Sequence, residues 1–284
     1  MAGLPGSGEV LAGRYRLGRR LAAGGMGAVF EAEDLRAGGA LAIKLLHPEL
    51  ASDPELRRRF RREASILRAL EHPAIVRIAE VGDDEGGLPY TAMELLAGET
   101  LAARVARGPV PPRALVPVVR DVCEGLRAVH AHGVIHADLK PANLFLVDRA
   151  RFGVAVKLVD FGLSKVQGLE RLTRTGEAPG TPTYMAPELL TGEGRLDRRL
   201  DVYSLGVVAF EALAGRPPFA ERNPGRLLLR VAAGAPPDVR TLRPEVPVPL
   251  AQVVRRAMAR RAEDRFQDAG AFSEAFAAAV ERSE

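Results

Sequence analysis

Four short stretches of this 284-residue chain hold residue types that could do chemistry together. His136-Ala137-Asp138-Leu139-Lys140-Pro141-Ala142-Asn143 sets an acid, an amine and an amide in one loop. A carboxylate such as Asp138 can accept a proton, and the Lys140 ammonium can neutralise charge on a transferring phosphoryl group. In Lys157-Leu158-Val159-Asp160-Phe161-Gly162 an apolar strand ends in an acid and a glycine. Asp160 and Asn143 are oxygen ligands of the kind Mg²⁺ takes when phosphates complete its shell. Each of these residues alone is also an ordinary turn residue or helix cap.

The third stretch is Leu21-Ala22-Ala23-Gly24-Gly25-Met26-Gly27-Ala28-Val29. Its glycines let backbone approach an anion and point N–H groups at it, although a plain hairpin turn has the same composition. A dinucleotide-binding loop needs a helix directly after the glycines, whereas Ala28, Val29 and Phe30 continue as strand. No GxxxxGK[ST] is present. The fourth is Lys44, at the end of the apolar run Leu41-Ala42-Ile43-Lys44. A snorkelling surface lysine fits that run too. The next helix sharpens the reading, because Leu56, Phe60, Glu63, Leu67 and Leu70 form one stripe and place Glu63 on its apolar side. A carboxylate there needs a cation, and Lys44 is the candidate. Arg57, Arg58, Arg59, Arg61 and Arg62 fill the opposite face and read as solvated.

The elements that must position these groups follow from periodicity. From Tyr15 to Lys44, short alternating runs punctuated by Gly24-Gly25 and Gly38-Gly39 predict antiparallel strands. Ser52 and Glu55 have capping-box spacing around Pro54, which starts the helix carrying Glu63. Two more strands are expected around 75–81 and 88–96. Beyond Gly98 helical patterns dominate, over 113–132, 201–214, 250–260 and 268–281, interrupted by short strands near 144–147 and 154–159. Residues 1–13 read as a mobile Gly-rich segment, 14–95 as a strand-rich lobe and 96–284 as a helix-rich lobe. A crevice between two such lobes is a natural ligand site.

Composition bounds the rest. Apolar residues make up 47% and charged residues 27%, which excludes a wholly disordered chain. One cysteine, Cys123, excludes a disulfide within the chain and reads as a small buried hydrophobe in a reducing compartment. Lys44, Lys140, Lys157 and Lys165 are the only lysines, so 36 of the 40 basic residues are arginine. A GC-rich genome accounts for that bias, and a net charge of +4 without aromatic interleaving does not point to nucleic acid. The start MAGLPGSGEV lacks the pattern of a signal peptide, and no apolar run reaches membrane-spanning length, so a cytoplasmic location is expected. Val202 to Phe210 reads as a core helix apolar on all sides. His130 and His132 read as the end of a helix, and no His/Cys cluster suggests zinc.

Taken in order, these stretches resemble the protein kinase domain, above all the eukaryotic-like Ser/Thr kinases of bacteria. The matching residues are LAAGGMGAV, Lys44 in LAIK, Glu63, HADLKPAN, DFG at 160–162, GTPTYMAPE at 180–188, DVYSLG at 201–206, GRPPF at 215–219 and Arg265. The resemblance covers about residues 14 to 280. It implies an α+β, two-lobed kinase-like fold, with a small antiparallel β lobe holding one main helix and a larger, mostly helical lobe. It also implies ATP with Mg²⁺ (or Mn²⁺) and proteins with Ser or Thr as substrates, with autophosphorylation.

Roles carry over residue by residue. Leu21, Ala22, Ala23, Gly24, Gly25, Met26, Gly27, Ala28 and Val29 would cover the nucleotide. Lys44 would hold its phosphates and pair with Glu63. Val29, Ala42 and Phe145 would sandwich the adenine, with Met93 before the hinge Glu94-Leu95. Asp138 would take the hydroxyl proton, Lys140 and Thr181 would hold the phosphate and Asp138, and Asn143 and Asp160 would bind the metal. His136, Phe161 and Leu67 would stack, Asp201 would anchor the catalytic loop, and Glu188 would pair with Arg265. A homodimer through the small lobe occurs among such kinases.

Two departures stand out. Ala22 replaces the first loop glycine, and Ala137 stands where most relatives have the arginine that reads a phosphorylated activation loop. Thr173 and Thr175 keep a T-x-T arrangement in that loop, so activity without loop phosphorylation, or a substitute such as Arg171 or Arg174, is expected. A pseudokinase scaffold would lose Lys44, Asp138 or Asp160, and a small-molecule kinase would lack GTPTYMAPE and the DLKP lysine. The substrate protein and any further domains stay open.

Overall fold

The computed structural model describes residues 4–25, 27–161, 182–191, 197–221, 223–233 and 236–282. Met26, Gly162, Lys165, Arg171, Thr173, Arg174, Thr175, Gly180 and Thr181 lie outside them. The chain divides into two units, residues 1–97 and 98–284. It adopts the α+β class expected from the sequence, strand-rich first and helix-rich second.

The first unit is a six-stranded antiparallel sheet in the order β1-β2-β3-β4-β6-β5. Its strands are β1 (Val10–Leu11), β2 (Tyr15–Gly24), β3 (Gly27–Asp34), β4 (Ala40–Leu46), β5 (Ile78–Asp83) and β6 (Pro89–Glu94). Period-two alternation splits β3 and β4 cleanly between two faces. Ala28, Phe30, Ala32, Ile43 and Leu45 join Leu11, Tyr15, Leu17, Tyr90 and Ala92 in a core on one face. The Gly-rich start is part of it: after a turn at Ala12 and Gly13, both with positive φ, β1 lies antiparallel to β2 and Leu11 is buried. The other face carries the paired rows Val29–Lys44–Thr91 and Glu31–Ala42–Met93.

A short helix α1 (Pro48–Ala51) precedes α2 (Pro54–Ala69). The residue that caps α2 is Asp53, not Ser52 as the capping-box spacing suggested. Its carboxylate accepts from the N–H groups of Glu55 (2.8 Å) and Leu56 (3.3 Å). Ser52 ends α1, and its hydroxyl donates to the Glu49 carbonyl. The acidic side chain next to Pro54 outcompetes it, because an anion at the first turn also meets the helix dipole.

The second unit has a three-stranded sheet, β7 (Gly98–Thr100), β8 (Leu144–Val147) and β9 (Val156–Leu158), and helices α3 (Leu101–Ala106), α4 (Pro112–Ala131), α5 (Arg149–Phe152), α6 (Pro187–Thr191), α7 (Arg199–Ala214), α8 (Pro224–Ala233), α9 (Val248–Ala257) and α10 (Ala269–Glu281). Helix α7 is buried continuously from Leu200 to Phe210, as an all-round apolar helix must be. Gly206 lets it approach the end of α9, since a Cβ there would lie 2.8 Å from the Ala257 methyl. Helix α9 stops at Ala257, short of the expected Arg260. The carbonyls of Ala259 and Arg260 instead accept from the Arg265 guanidinium. Among the described residues no helix is long and apolar enough to cross a membrane.

Candidate active site

In the first unit the glycine stretch is a hairpin paired to its tip, with Ala22 opposite Val29, Ala23 opposite Ala28 and Gly24 opposite Gly27. Gly27 has no substitute, because a Cβ there would sit 1.8 Å from the Leu45 carbonyl oxygen of the neighbouring strand. Gly24 and Gly25 have nothing within 4 Å of that position, so their backbone is open to an incoming group. Leu21, Ala22 and Ala23 are exposed. Ala28 faces the other way, into the Phe30 and Leu45 core at 1% exposure, so only its backbone is available to a ligand.

Lys44 and Ala42 share the face away from that core. The Lys44 ammonium lies 5.8 Å from the ring centroid of Phe60 in α2. Phe60, Glu63, Ala64 and Leu67 are the buried residues of that helix, which places Glu63 one turn beyond the ring under Lys44. Met93 is directly opposite Ala42, and Glu94 opposite Leu41. The Glu94 carboxylate accepts from the Arg77 N–H at 2.8 Å, and the half-buried Leu95 follows.

In the second unit the loop after α4 is held by one buried carboxylate. Asp201, in the first turn of α7, is wholly buried. It accepts from His130 Nε2 (2.7 Å), the His136 N–H (2.8 Å) and the Ala137 N–H (2.9 Å). Burial pushes its pKa up, but the His130 hydrogen bond and the Ala137 N–H outweigh this and hold the carboxyl below its ordinary value. Ala137 takes φ 59°, the left-handed region that costs an L-residue about 1–2 kcal/mol. The turn brings Asp138 out of the anchored segment. His130 was read from sequence as a helix end. It does lie in the last turn of α4, but its side chain supports the loop. No local pattern signals this, since its partner is 71 residues away.

Asp138, Lys140, Asn143 and Asp160 come together at the start of β8. Lys140 Nζ donates to Asp138 Oδ2 at 2.9 Å. Asn143 Nδ2 lies 2.8 Å from the Asp138 carbonyl, 3.1 Å from Asp138 Oδ2 and 3.2 Å from the Asp160 carbonyl. The register of the β8–β9 hairpin does this: Leu144 pairs with Leu158, and the Val159 N–H donates to the Asn143 carbonyl at 3.0 Å. Asp160 has φ 60° and an exposed side chain. The donor end of the Asn143 amide is committed, which leaves its oxygen for a cation beside the Asp160 carboxylate. Among the described residues no group of three or more His, Cys, Asp or Glu could hold a metal by itself. Two protein oxygens suit a divalent ion whose shell is completed by phosphates and water.

Phe161 is buried and stacks on His136, ring centroids 4.2 Å apart and planes at 28°. Burial pushes the His136 imidazole below its ordinary pKa against the pull of Asp201, Asp138 and Asp160, so the ring is held neutral. Phe145 is half-buried, between Thr100 and Lys157 in the sheet. Further along, Arg265 is fully buried and forms a two-pronged pair with Glu188, both contacts 2.6 Å. The Ser204 hydroxyl donates to the Tyr184 carbonyl at 2.7 Å, and the Tyr184 hydroxyl to Glu211 at 2.6 Å. These bonds tie residues 182–188 to α7.

Residues 15–246 match the family model described as protein kinase domain. The chain is 40% identical over 272 residues to serine/threonine-protein kinase Pkn1 of Myxococcus xanthus, covering 95% of this chain and 39% of that protein. It is 39% identical over 265 residues to serine/threonine-protein kinase PknB of Mycolicibacterium smegmatis, covering 91% of this chain and 42% of that one. The chain therefore spans less than half the length of either relative. Among solved structures, the PknI kinase domain of Mycobacterium tuberculosis is similar with a TM-score of 0.76 and 30% identity, over 96% of this chain and 99% of that one.

Proposed function

The chain belongs to the protein kinase family, whose members use ATP and a divalent metal, and on that premise we propose that it is a serine/threonine protein kinase. The observation that carries the proposal is the cluster of Asp138, Lys140 and Asn143, on a loop clamped by Asp201, with Asp160 just after β9. That arrangement supplies a base, a cation and a metal-binding pair, which together suit phosphoryl transfer.

In this reading Asp138 orients a Ser or Thr hydroxyl and takes its proton as the oxygen attacks the γ-phosphorus. The bond from that phosphorus to the β,γ-bridging oxygen breaks and ADP leaves. Lys140 balances charge on the transferring group and keeps Asp138 in place. Lys44, with Glu63, holds the α- and β-phosphates, and the 21–29 hairpin covers them. Val29, Ala42 and Phe145 flank the adenine, and Glu94 and Leu95 meet its edge. Asn143 and Asp160 would hold Mg²⁺ (or Mn²⁺), which supplies positive charge to the phosphates. By the family resemblance Thr181, which lies outside the described residues, would help to hold Asp138.

The finer proposal concerns regulation. Ala137 offers no side-chain cation to a phosphorylated loop, so basal activity does not depend on phosphate at Thr173 or Thr175, although the kinase still modifies them. Mass spectrometry after incubation with Mg²⁺-ATP, wild type against Asp138→Asn, tests the activity. Phosphate on Thr173, Thr175 or an added basic protein in the wild type alone is expected. Its absence everywhere refutes the reading. The Thr173→Ala, Thr175→Ala double variant tests the regulation. A fall in kcat/KM of about 10²-fold or more overturns it.

A further inference from the structure

β2 and β4 are not neighbours, because β3 runs between them. At one end of this trio Gly24 pairs with Gly27, and Gly27 pairs with Leu46. His47 is the next residue after Leu46, and its imidazole spans β3 to reach the tip of β2. Its Nε2 lies 2.9 Å from the Gly24 carbonyl oxygen. A carbonyl only accepts, so Nε2 carries the hydrogen.

We propose that His47 is a positioning residue for nucleotide binding: by donating to Gly24 it pins the phosphate-covering hairpin to the end of β4 and so sets the affinity for the triphosphate. This rests on reading residues 21–29 as the loop over the phosphates.

The two ends of this bond differ in rigidity, and the difference gives it its effect. His47 is presented by fixed backbone. It is extended, with φ −60° and ψ 138°, as a residue before proline prefers, and Pro48 follows. Its carbonyl accepts from the N–H groups of Leu50 (2.9 Å) and Ala51 (2.8 Å), so α1 holds it in place. The hairpin tip is the opposite case. Gly24 and Gly25 are exposed, have no side chain to pack and have open space where a Cβ would stand. The His47 bond adds to the Gly24–Gly27 pairing a restraint that comes from outside the hairpin. The accepting carbonyl belongs to Gly24, whose Cβ position is open space. Any loosening of the tip therefore acts first on contacts to phosphate, whereas the adenine contacts proposed for Val29 and Ala42 lie in the paired part of the sheet, opposite Lys44 and Glu31.

The test compares wild type, His47→Ala and His47→Gln as full chains. Kd for Mg²⁺-ATP and for adenosine, KM and kcat on a generic basic protein, and Tm are measured. For His47→Ala, Kd and KM for Mg²⁺-ATP rise about three- to tenfold, the scale of one neutral hydrogen bond. Its kcat stays within about twofold, adenosine binding is unchanged because adenosine has no phosphates, and Tm moves by less than about 2 °C. His47→Gln, whose amide N–H reaches the same carbonyl, regains most of the affinity. Unchanged Mg²⁺-ATP binding in His47→Ala overturns the proposal. So does a parallel loss of adenosine binding and Tm, which marks a purely structural role. A wild type that binds no Mg²⁺-ATP overturns the kinase reading itself.

Discussion

Asp201→Asn is the most informative single change, because one buried carboxylate holds both the backbone and the support of the catalytic loop. Its two oxygens accept three hydrogen bonds, from His130, His136 and Ala137. Asparagine keeps the shape but offers one accepting oxygen. In its better orientation the oxygen stays with His130 and His136, and the new NH₂ group faces the Ala137 N–H, donor against donor. The variant then forfeits one bond to a charged acceptor, leaves an N–H without a partner and removes the charge beside His130. Together these amount to about 3–5 kcal/mol of stability. A domain whose stability lies above the lower end of the usual range of about 5–15 kcal/mol stays folded. The functional loss has a separate origin. Ala137 keeps φ 59° only while its N–H is held, at a cost of about 1–2 kcal/mol. Released, it relaxes to negative φ and carries Asp138 with it. A shift of about 1 Å in a catalytic group lowers kcat by about 10²-fold. KM for ATP changes less than kcat, because Lys44 and Glu63, which hold the α- and β-phosphates in this reading, lie outside the loop. Urea unfolding followed by circular dichroism reads the first effect, and phosphoryl transfer to a basic protein the second. Ala137→Gly supplies a rescue, because glycine takes positive φ freely. Introduced alone into the wild type it is neutral for kcat, and combined with Asp201→Asn it restores about fivefold. Stability within about 0.5 kcal/mol of wild type together with kcat within about threefold refutes the clamp.

Three further perturbations follow from local geometry. Gly27→Ala forces a methyl group against the Leu45 carbonyl, where a Cβ would stand 1.8 Å away, and costs about 3 kcal/mol or more; Gly24→Ala, with open space, costs under about 0.5 kcal/mol, as urea midpoints will read. Arg265→Met strands Glu188 and three carbonyls and destabilises by about 3–5 kcal/mol; adding Glu188→Gln recovers part of this, a positive coupling that a double-mutant cycle measures. His136 is held neutral, its pKa below the ordinary 6.5, so the unfolded chain binds a proton that the folded chain refuses. Its contribution is complete above that ordinary value and is lost as pH falls below it, by at most about 1.4 kcal/mol per pH unit. Urea midpoints compared between wild type and His136→Phe across this range show the slope in the wild type and a shallower one in the variant.

How much of this was legible along the chain depends on the range of the interaction. The alternation in β3 and β4 and the 4-3-4-3 stripe of α2 are local, so the strands, the main helix and the buried side of Glu63 could be read directly. Even a local signal can mislead. Ser52 and Asp53 are both good caps; the Ser52 hydroxyl is taken up in closing α1, which leaves the first turn of α2 to the Asp53 carboxylate. Ala28 sits in the glycine stretch beside Val29, yet the pleat turns it into the core.

The sequence by itself determined the chemical inventory. A lysine in an apolar strand, an acid on an apolar helix stripe, and Asp, Lys, Asn and Asp in two short loops are visible as residue types at fixed spacing. Only the tertiary structure decided how those groups are aimed. The β8–β9 register brought Asn143 to Asp160, α7 placed Asp201 under a loop more than 60 residues earlier, and His130 and His47 acquired partners that no periodicity marks. The physical reason is that periodicity records which side of an element is buried, whereas a hydrogen bond depends on position to within a few tenths of an ångström. That precision arises only when distant elements pack.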